Sequence, residues 1–192
     1  MTDELRADRA AATLREAARA HERAAANGAA IVRAVDAMAT ALRQGRKVLA
    51  FGNGGSAADA QHFVAELVGR YEVERRAWPA IALSTDTSVL TAIGNDYGFD
   101  RVFARQVEAH GQAGDVAFGI TTSGRSPNVL RGLETANARG LVTIALTGRG
   151  GEAGQMATIH LGVDEGRTSR VQEVHITMLH ILCELLEEEL NG

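Results

Sequence analysis

Apolar residues recur along this chain with two different spacings, and the change from one to the other divides it. Residues 4–26 are Ala, Arg, Glu and Leu for the most part, strong helix formers with few large apolar side chains, so the pattern predicts a helix that needs a partner. After Asn27-Gly28 a second helix is predicted over 30–43, where Ile31, Val32, Val35, Met38 and Leu42 fall near one stripe, and Gly45 ends it. Beyond that point the runs shorten. Val48-Leu49-Ala50-Phe51, Ala80-Ile81-Ala82-Leu83, Val116-Ala117-Phe118-Gly119-Ile120 and Val142-Thr143-Ile144-Ala145-Leu146 are continuous apolar segments that stop at Gly, Ser or Thr, as buried strands do. Helical stretches over about 56–70, 98–110 and 127–139 separate them, and a weaker fifth strand spans 158–163. A long helix over about 169–190 closes the chain, with Val171, Val174, Met178, Ile181 and Leu185 at helical spacing. Strand and helix in alternation imply a parallel sheet. The predicted fold is α/β: one doubly wound, five-stranded parallel sheet flanked by helices, an extra N-terminal helix, and ligands at the carboxyl ends of the strands.

Composition narrows the function. A chain of 192 residues, 45% hydrophobic and 23% charged, suits a single globular core. The formal charge of -4 argues against an electrostatic grip on nucleic acid, so a small substrate is expected. Cys183 is the only cysteine, which excludes an intrachain disulfide and a thiolate metal cluster. The first 22 residues contain no uninterrupted apolar stretch, so neither a signal peptide nor a membrane span is read there, and a cytoplasmic protein is expected. Lys47 is the sole lysine and lies outside every Gly-rich loop, against both a P-loop nucleotide enzyme and a Schiff-base aldolase.

Two loops carry candidate chemistry. The first strand runs into Gly52-Asn53-Gly54-Gly55-Ser56-Ala57-Ala58-Asp59, where small residues let the backbone approach a ligand at a helix N-terminus. Alone, this is equally a tight turn with Ser56 as helix cap. The third strand ends in Thr121-Thr122-Ser123-Gly124-Arg125-Ser126-Pro127, again just before a helix, where hydroxyls and backbone N–H groups suit a phosphate without any lysine. Ser126 is also placed to cap that helix. Two such loops on one sheet favour an anion site, and neither has dinucleotide spacing. On the helix after the first loop, His62 and Glu66 lie about 40° apart with a rise of about 6 Å, on one face. The pair suits a metal or an ordinary surface hydrogen bond. The last helix adds Gln172, Glu173, His175 and His180 among its core-spaced residues.

Taken together, Gly52-Asn53-Gly54-Gly55-Ser56, Gln61-His62 through Glu66, Asn95-Asp96-Tyr97-Gly98, Thr122-Ser123-Gly124 and Gln172-Glu173-Val174-His175 through His180 resemble the phosphoheptose isomerases over about residues 30–190. Those are single sugar-isomerase (SIS) domains, usually zinc-bound tetramers, that interconvert sedoheptulose 7-phosphate and D-glycero-D-manno-heptose 7-phosphate for nucleotide-activated heptose synthesis. The resemblance implies residues 1–29 as an N-terminal helix for oligomer contacts and 30–192 as the SIS domain. It implies Zn2+, one ion per active site, on His62, Glu66, Gln172 and His180, with acid and base roles for Glu66 and His180. It places substrate contacts at Asn53, Gly54, Gly55, Ser56, Glu66, Asn95, Asp96, Thr121, Thr122, Ser123, Ser126 and Gln172. Ser169 stands where some members carry Asp, and Thr121 replaces a frequent Ser while keeping the hydroxyl.

Three rival readings share the fold: a non-catalytic SIS tetramer that binds the replication initiator, a sugar-phosphate sensor, and an isomerase of another sugar phosphate. Retention of both Glu66 and His180 favours the enzyme over the binder, and the first 30 residues are too short and Ala-rich for a sensor's DNA-binding module. Helix geometry adds one expectation. Gln172 and His180 are separated by a rise of about 12 Å and a rotation of about 80°, which one copy of the helix cannot easily span to a shared ion. A homotetramer with active sites at subunit interfaces is therefore expected.

Overall fold

The computed structural model describes residues 1–191. Helices α1 (Asp3–Ala24) and α2 (Gly28–Arg43), joined by a 3-10 turn, precede β1 (Val48–Gly52), α3 (Gly55–Val68), β2 (Ala80–Ala82) and α4 (Thr87–Asp96). Then come α5 (Val102–His110), β3 (Val116–Thr121), α6 (Pro127–Ala138), β4 (Val142–Thr147), α7 (Glu152–Met156), β5 (Ile159–Gly162) and α8 (Thr168–Asn191). The five strands form one parallel sheet in the order β2-β1-β3-β4-β5. Chain order reverses between β1 and β3, and a cleft opens at the carboxyl ends of the strands at such a point.

Burial on both faces explains why the central strands are continuous apolar runs. Val48 and Ala50 of β1, with Val116, Phe118 and Ile120 of β3, face the core shared with α2, α3 and α8. Leu49, Phe51 and Ala117 face the opposite core, made with α5, α6 and α7. Phe63 of α3 lies tilted against Phe118 with ring centroids 5.1 Å apart, which seats α3 directly over the middle of the sheet. Before β1 and β3, at the far end of the strands, Lys47 donates to the fully buried Asp115 at 2.7 Å. That ion pair accounts for the single lysine.

Several elements differ from the sequence pattern for physical reasons. Val32 is 52% exposed, because the buried stripe of α2 runs through Ile31, Val35, Met38 and Leu42 with Ala34, Ala39 and Ala41 beside them, and Val32 lies off it. β2 is an edge strand with Ile81 exposed, not a buried one. The stretch 98–110 divides into a 3-10 turn, Phe99–Arg101, and α5. α4 and α7 have no counterpart in the predicted elements; α4 buries no residue fully and packs only Leu90 and Ile93 partly against the core. In α1 only Ala20 is buried, and the helix packs against α8. No helix among the described residues is long and apolar enough to cross a membrane.

Candidate active site

The loop after β1 turns sharply into α3. Gly54, at φ 56°, occupies a conformation that suits glycine, and a Cβ on Gly52 would come within 2.8 Å of the Ile120 carbonyl and Ser56. Ser56 is not the helix cap. Gly54 holds that position, and Ser56 is buried inside the first turn. Asn53 is fixed from the side: its amide donates to Asn128 Oδ1 at 2.9 Å and accepts from Asn128 Nδ2 at 2.8 Å. Asn128, 3% exposed, also accepts the Val129 N–H at 2.9 Å, so the first turn of α6 sets the orientation of the Asn53 amide. Sequence reasoning missed Asn128, which sits just after the hydroxyl loop and carries no motif of its own.

On the other side of the reversal point lies the loop after β3. Thr121 Oγ1 is 3.0 Å from Ser126 Oγ and 3.3 Å from Ser123 Oγ. Ser126 has the backbone of an N-cap but its hydroxyl makes no cap bond, turning to Thr121 instead. The three hydroxyls thus face one another at the start of α6, an arrangement suited to the oxygens of a phosphate. The loop after β4 braces this one from outside: Gly148 N–H donates to Thr122 O, Ala153 N–H donates to Gly124 O, and Gly151 backbone would collide with any Cβ on Gly124. Gly124 itself has φ 65°.

His62, Glu66 and His180 meet. His62 Nε2 lies 3.3 Å from Glu66 Oε1, one turn along α3, and 2.9 Å from His180 Nε2 on α8. Two donors bound to a tetrahedral zinc at about 2.0–2.1 Å are about 3.3 Å apart, so two imidazoles and a carboxylate at this spacing fit such an ion in kind and nearly in distance. They meet pairwise through His62, and among the described residues no group of three or more His, Cys, Asp or Glu side chains is already arranged to hold a metal. Gln172 is not with them. Its amide lies against Gly55 at the start of α3, and a Cβ on Gly55 would strike it. Gly55 precedes His62 by seven residues, about 10 Å along the helix. Within one chain, Gln172 therefore meets the first turn of α3 while His180 meets its middle.

Asn95 and Asp96 sit exposed in the last turn of α4, where the Asn95 amide donates to Asp96 Oδ1 at 2.7 Å rather than to either loop. On α3 between loop and histidine, Asp59 is a further carboxylate: burial pushes its pKa up to about 6, with His62 opposing the shift, and Oδ2 has no hydrogen-bond partner. The ring of Tyr71 lies 5.7 Å from that of His180 between centroids. Cys183 is buried, and burial first among several causes pushes its thiol up to about 12, so it is unreactive.

The sequence profile of the SIS domain family matches residues 13–148. A curated phosphoheptose isomerase from Geobacter sp. (strain M21) is 61% identical over 162 residues, 84% of each chain. Among solved structures, a phosphoheptose isomerase from Neisseria gonorrhoeae superposes with a TM-score of 0.87 at 46% identity, covering 94% of this chain and 98% of its own. One from Francisella tularensis gives 0.91 at 38% identity, covering 98% and 100%.

Proposed function

Because the chain belongs to the phosphoheptose isomerase family of SIS-domain enzymes, we propose that this sugar-phosphate isomerase interconverts sedoheptulose 7-phosphate and D-glycero-D-manno-heptose 7-phosphate through an enediol, in the cytoplasm, for nucleotide-activated heptose synthesis. The observation that supports the reading is the meeting of Glu66, His62 and His180, within 3.3 Å of one another pairwise through His62, on two helices beside a Gly-rich loop and a hydroxyl loop.

Each group has a task in this chemistry. Thr121, Thr122, Ser123 and Ser126 hold the phosphate and fix the far end of the sugar. Asn53, its amide set by Asn128, orients a sugar oxygen at the mouth of β1. Moving the carbonyl between C1 and C2 requires a proton to leave the carbon beside it and another to arrive at the neighbouring carbon. Glu66 and His180 share that work, one taking the proton and the other returning it. Asn95 and Asp96 are assigned to the outer sugar hydroxyls.

The reading includes one zinc ion per active site, held by His62, Glu66 and His180 of one chain and Gln172 of a neighbouring copy in a homotetramer. When bound, zinc supplies Lewis-acid polarisation of the sugar carbonyl and stabilises the developing oxyanion. The division between copies follows from the separate places on α3, its first turn and its middle, that Gln172 and His180 contact.

The test is direct. The protein is incubated with sedoheptulose 7-phosphate, with and without added zinc, and the aldose phosphate is followed by NMR; parallel samples contain arabinose 5-phosphate and a hexulose phosphate. Conversion of the heptulose phosphate well above the others is expected. Faster turnover of a shorter sugar would replace the heptose assignment.

A further inference from the structure

The segment between α3 and β2, residues 69–79, has no regular structure, yet one buried side chain pins it. The Glu187 carboxylate on α8 accepts the backbone N–H groups of Tyr71, Glu72 and Val73 at 3.0 Å each, and Arg75 Nε at 3.0 Å. The Arg75 guanidinium continues to α3, donating to the carbonyls of Glu66 at 2.6 Å and Leu67 at 3.0 Å, and stacks 3.5 Å over the Trp78 ring. The Arg75 and Glu187 side chains are 2% and 4% exposed. Burial acts to raise the Glu187 pKa, but the three N–H groups and Arg75 outweigh it and hold the carboxyl below its ordinary range.

The elements joined by this pair are the two that carry the reacting groups. Glu187 follows His180 by seven residues, about 10 Å along α8 and about 20° around it, so both lie on one face. Arg75 holds the carbonyl of Glu66 itself. Tyr71, first of the three pinned residues, packs its ring 5.7 Å from that of His180, and the His62 ring stands 5.1 Å from the same imidazole. Nothing within α3 or α8 alone sets the distance between Glu66 and His180. The clamp does.

We propose that Glu187 and Arg75 are positioning residues for the isomerase reaction: they set α8 against α3 so that His180 meets His62 and Glu66, and they hold Tyr71 as a wall beside the His180 ring. This inference rests on the acid and base roles given above to Glu66 and His180. A displacement of about 1 Å between reacting groups is enough for about a 100-fold loss of rate, whereas a merely structural pair would lower stability and leave turnover alone.

Three variants separate these outcomes. Glu187→Gln keeps the volume but turns an amide toward N–H donors, and kcat is expected to fall about 10- to 100-fold with KM for sedoheptulose 7-phosphate nearly unchanged, because the hydroxyl loop is untouched. Tyr71→Leu leaves every clamp bond in place, since those use its backbone, and is expected to lower kcat at near-normal Tm. Lys47→Met breaks a comparable pair at the far end of the sheet, and should lower Tm without altering kcat. A readout independent of substrate accompanies them: the His180 imidazole resonances are expected to move in the first two variants and not in the third. Unmoved resonances, or normal kcat in both Glu187→Gln and Tyr71→Leu, would overturn the clamp. An inactive wild type with moved resonances would instead count against the substrate assignment.

Discussion

Lowering the pH from 8 to 4.5 is expected to remove roughly 2–3 kcal/mol of folding stability through His175 alone. The imidazole is fully buried on α8, and neither ring nitrogen makes a hydrogen bond of good geometry, the Thr147 backbone offering only a weaker one. Burial pushes its pKa from 6.5 down to about 4, and the Thr147 backbone only partly opposes this. The folded chain therefore keeps the ring neutral while the unfolded chain takes up a proton below pH 6.5. Stability is complete above that value and is lost as the pH falls toward 4; the gap of about 2.5 units corresponds to about 3 kcal/mol at the limit. His175→Met, which replaces the ring with a flexible apolar side chain, should abolish this part of the response. Urea unfolding of both proteins at half-unit steps from pH 8 to 4.5 measures the difference, since the carboxylates that titrate below pH 5 are common to both. Parallel stability curves, or a His175 ring that titrates near 6.5 by NMR, would refute the reasoning.

Glu66→Gln is expected to lose isomerisation by at least about 100-fold, the lower end of what a positioned general base contributes, while calorimetry still detects sugar-phosphate binding. Replacing Ser123 and Ser126 together with Ala should raise KM far more than it lowers Tm, because their hydroxyls bond to Thr121, cap no helix, and make only one exposed turn bond, from Arg125 N–H to Ser123 Oγ at 3.2 Å; unchanged KM with a large fall in Tm would leave them a turn role alone. Mixing Gln172→Ala with Glu66→Gln subunits should restore part of the activity after subunit exchange, whereas Glu66→Gln with His180→Asn should not, because Glu66 and His180 meet within one chain. Rescue by the second mixture and not the first would reverse the assignment of ligands to subunits.

The central strands were legible before any coordinates. β1, β3 and β4 are buried on both faces, which requires continuous apolar runs, and the small and hydroxylated residues that end β1 and β3 mark the two loops at once. The i, i+4 pair His62 and Glu66 was equally visible, because neighbours on a helix face are fixed by the helix repeat. Where the reading failed, the local signal was absent or misleading. α4 only partly buries Leu90 and Ile93, and the stripe of α2 mixes Ile31, Val35, Met38 and Leu42 with three alanines, so the pattern did not show that Val32 faces outward.

Contacts across long separations had no counterpart in the pattern. His62 meets His180 over 118 positions, Asn53 pairs with Asn128 over 75, and Glu187 reaches Arg75 over 112. Periodicity reports which face of an element is buried, and so it determines the layers, the loops and the residue types placed at the strand ends. It carries no information about how far one helix slides along another. That offset brings His180 to His62 and leaves Gln172 at Gly55, and it is settled by side-chain packing between α3 and α8 and by the buried clamp that joins them.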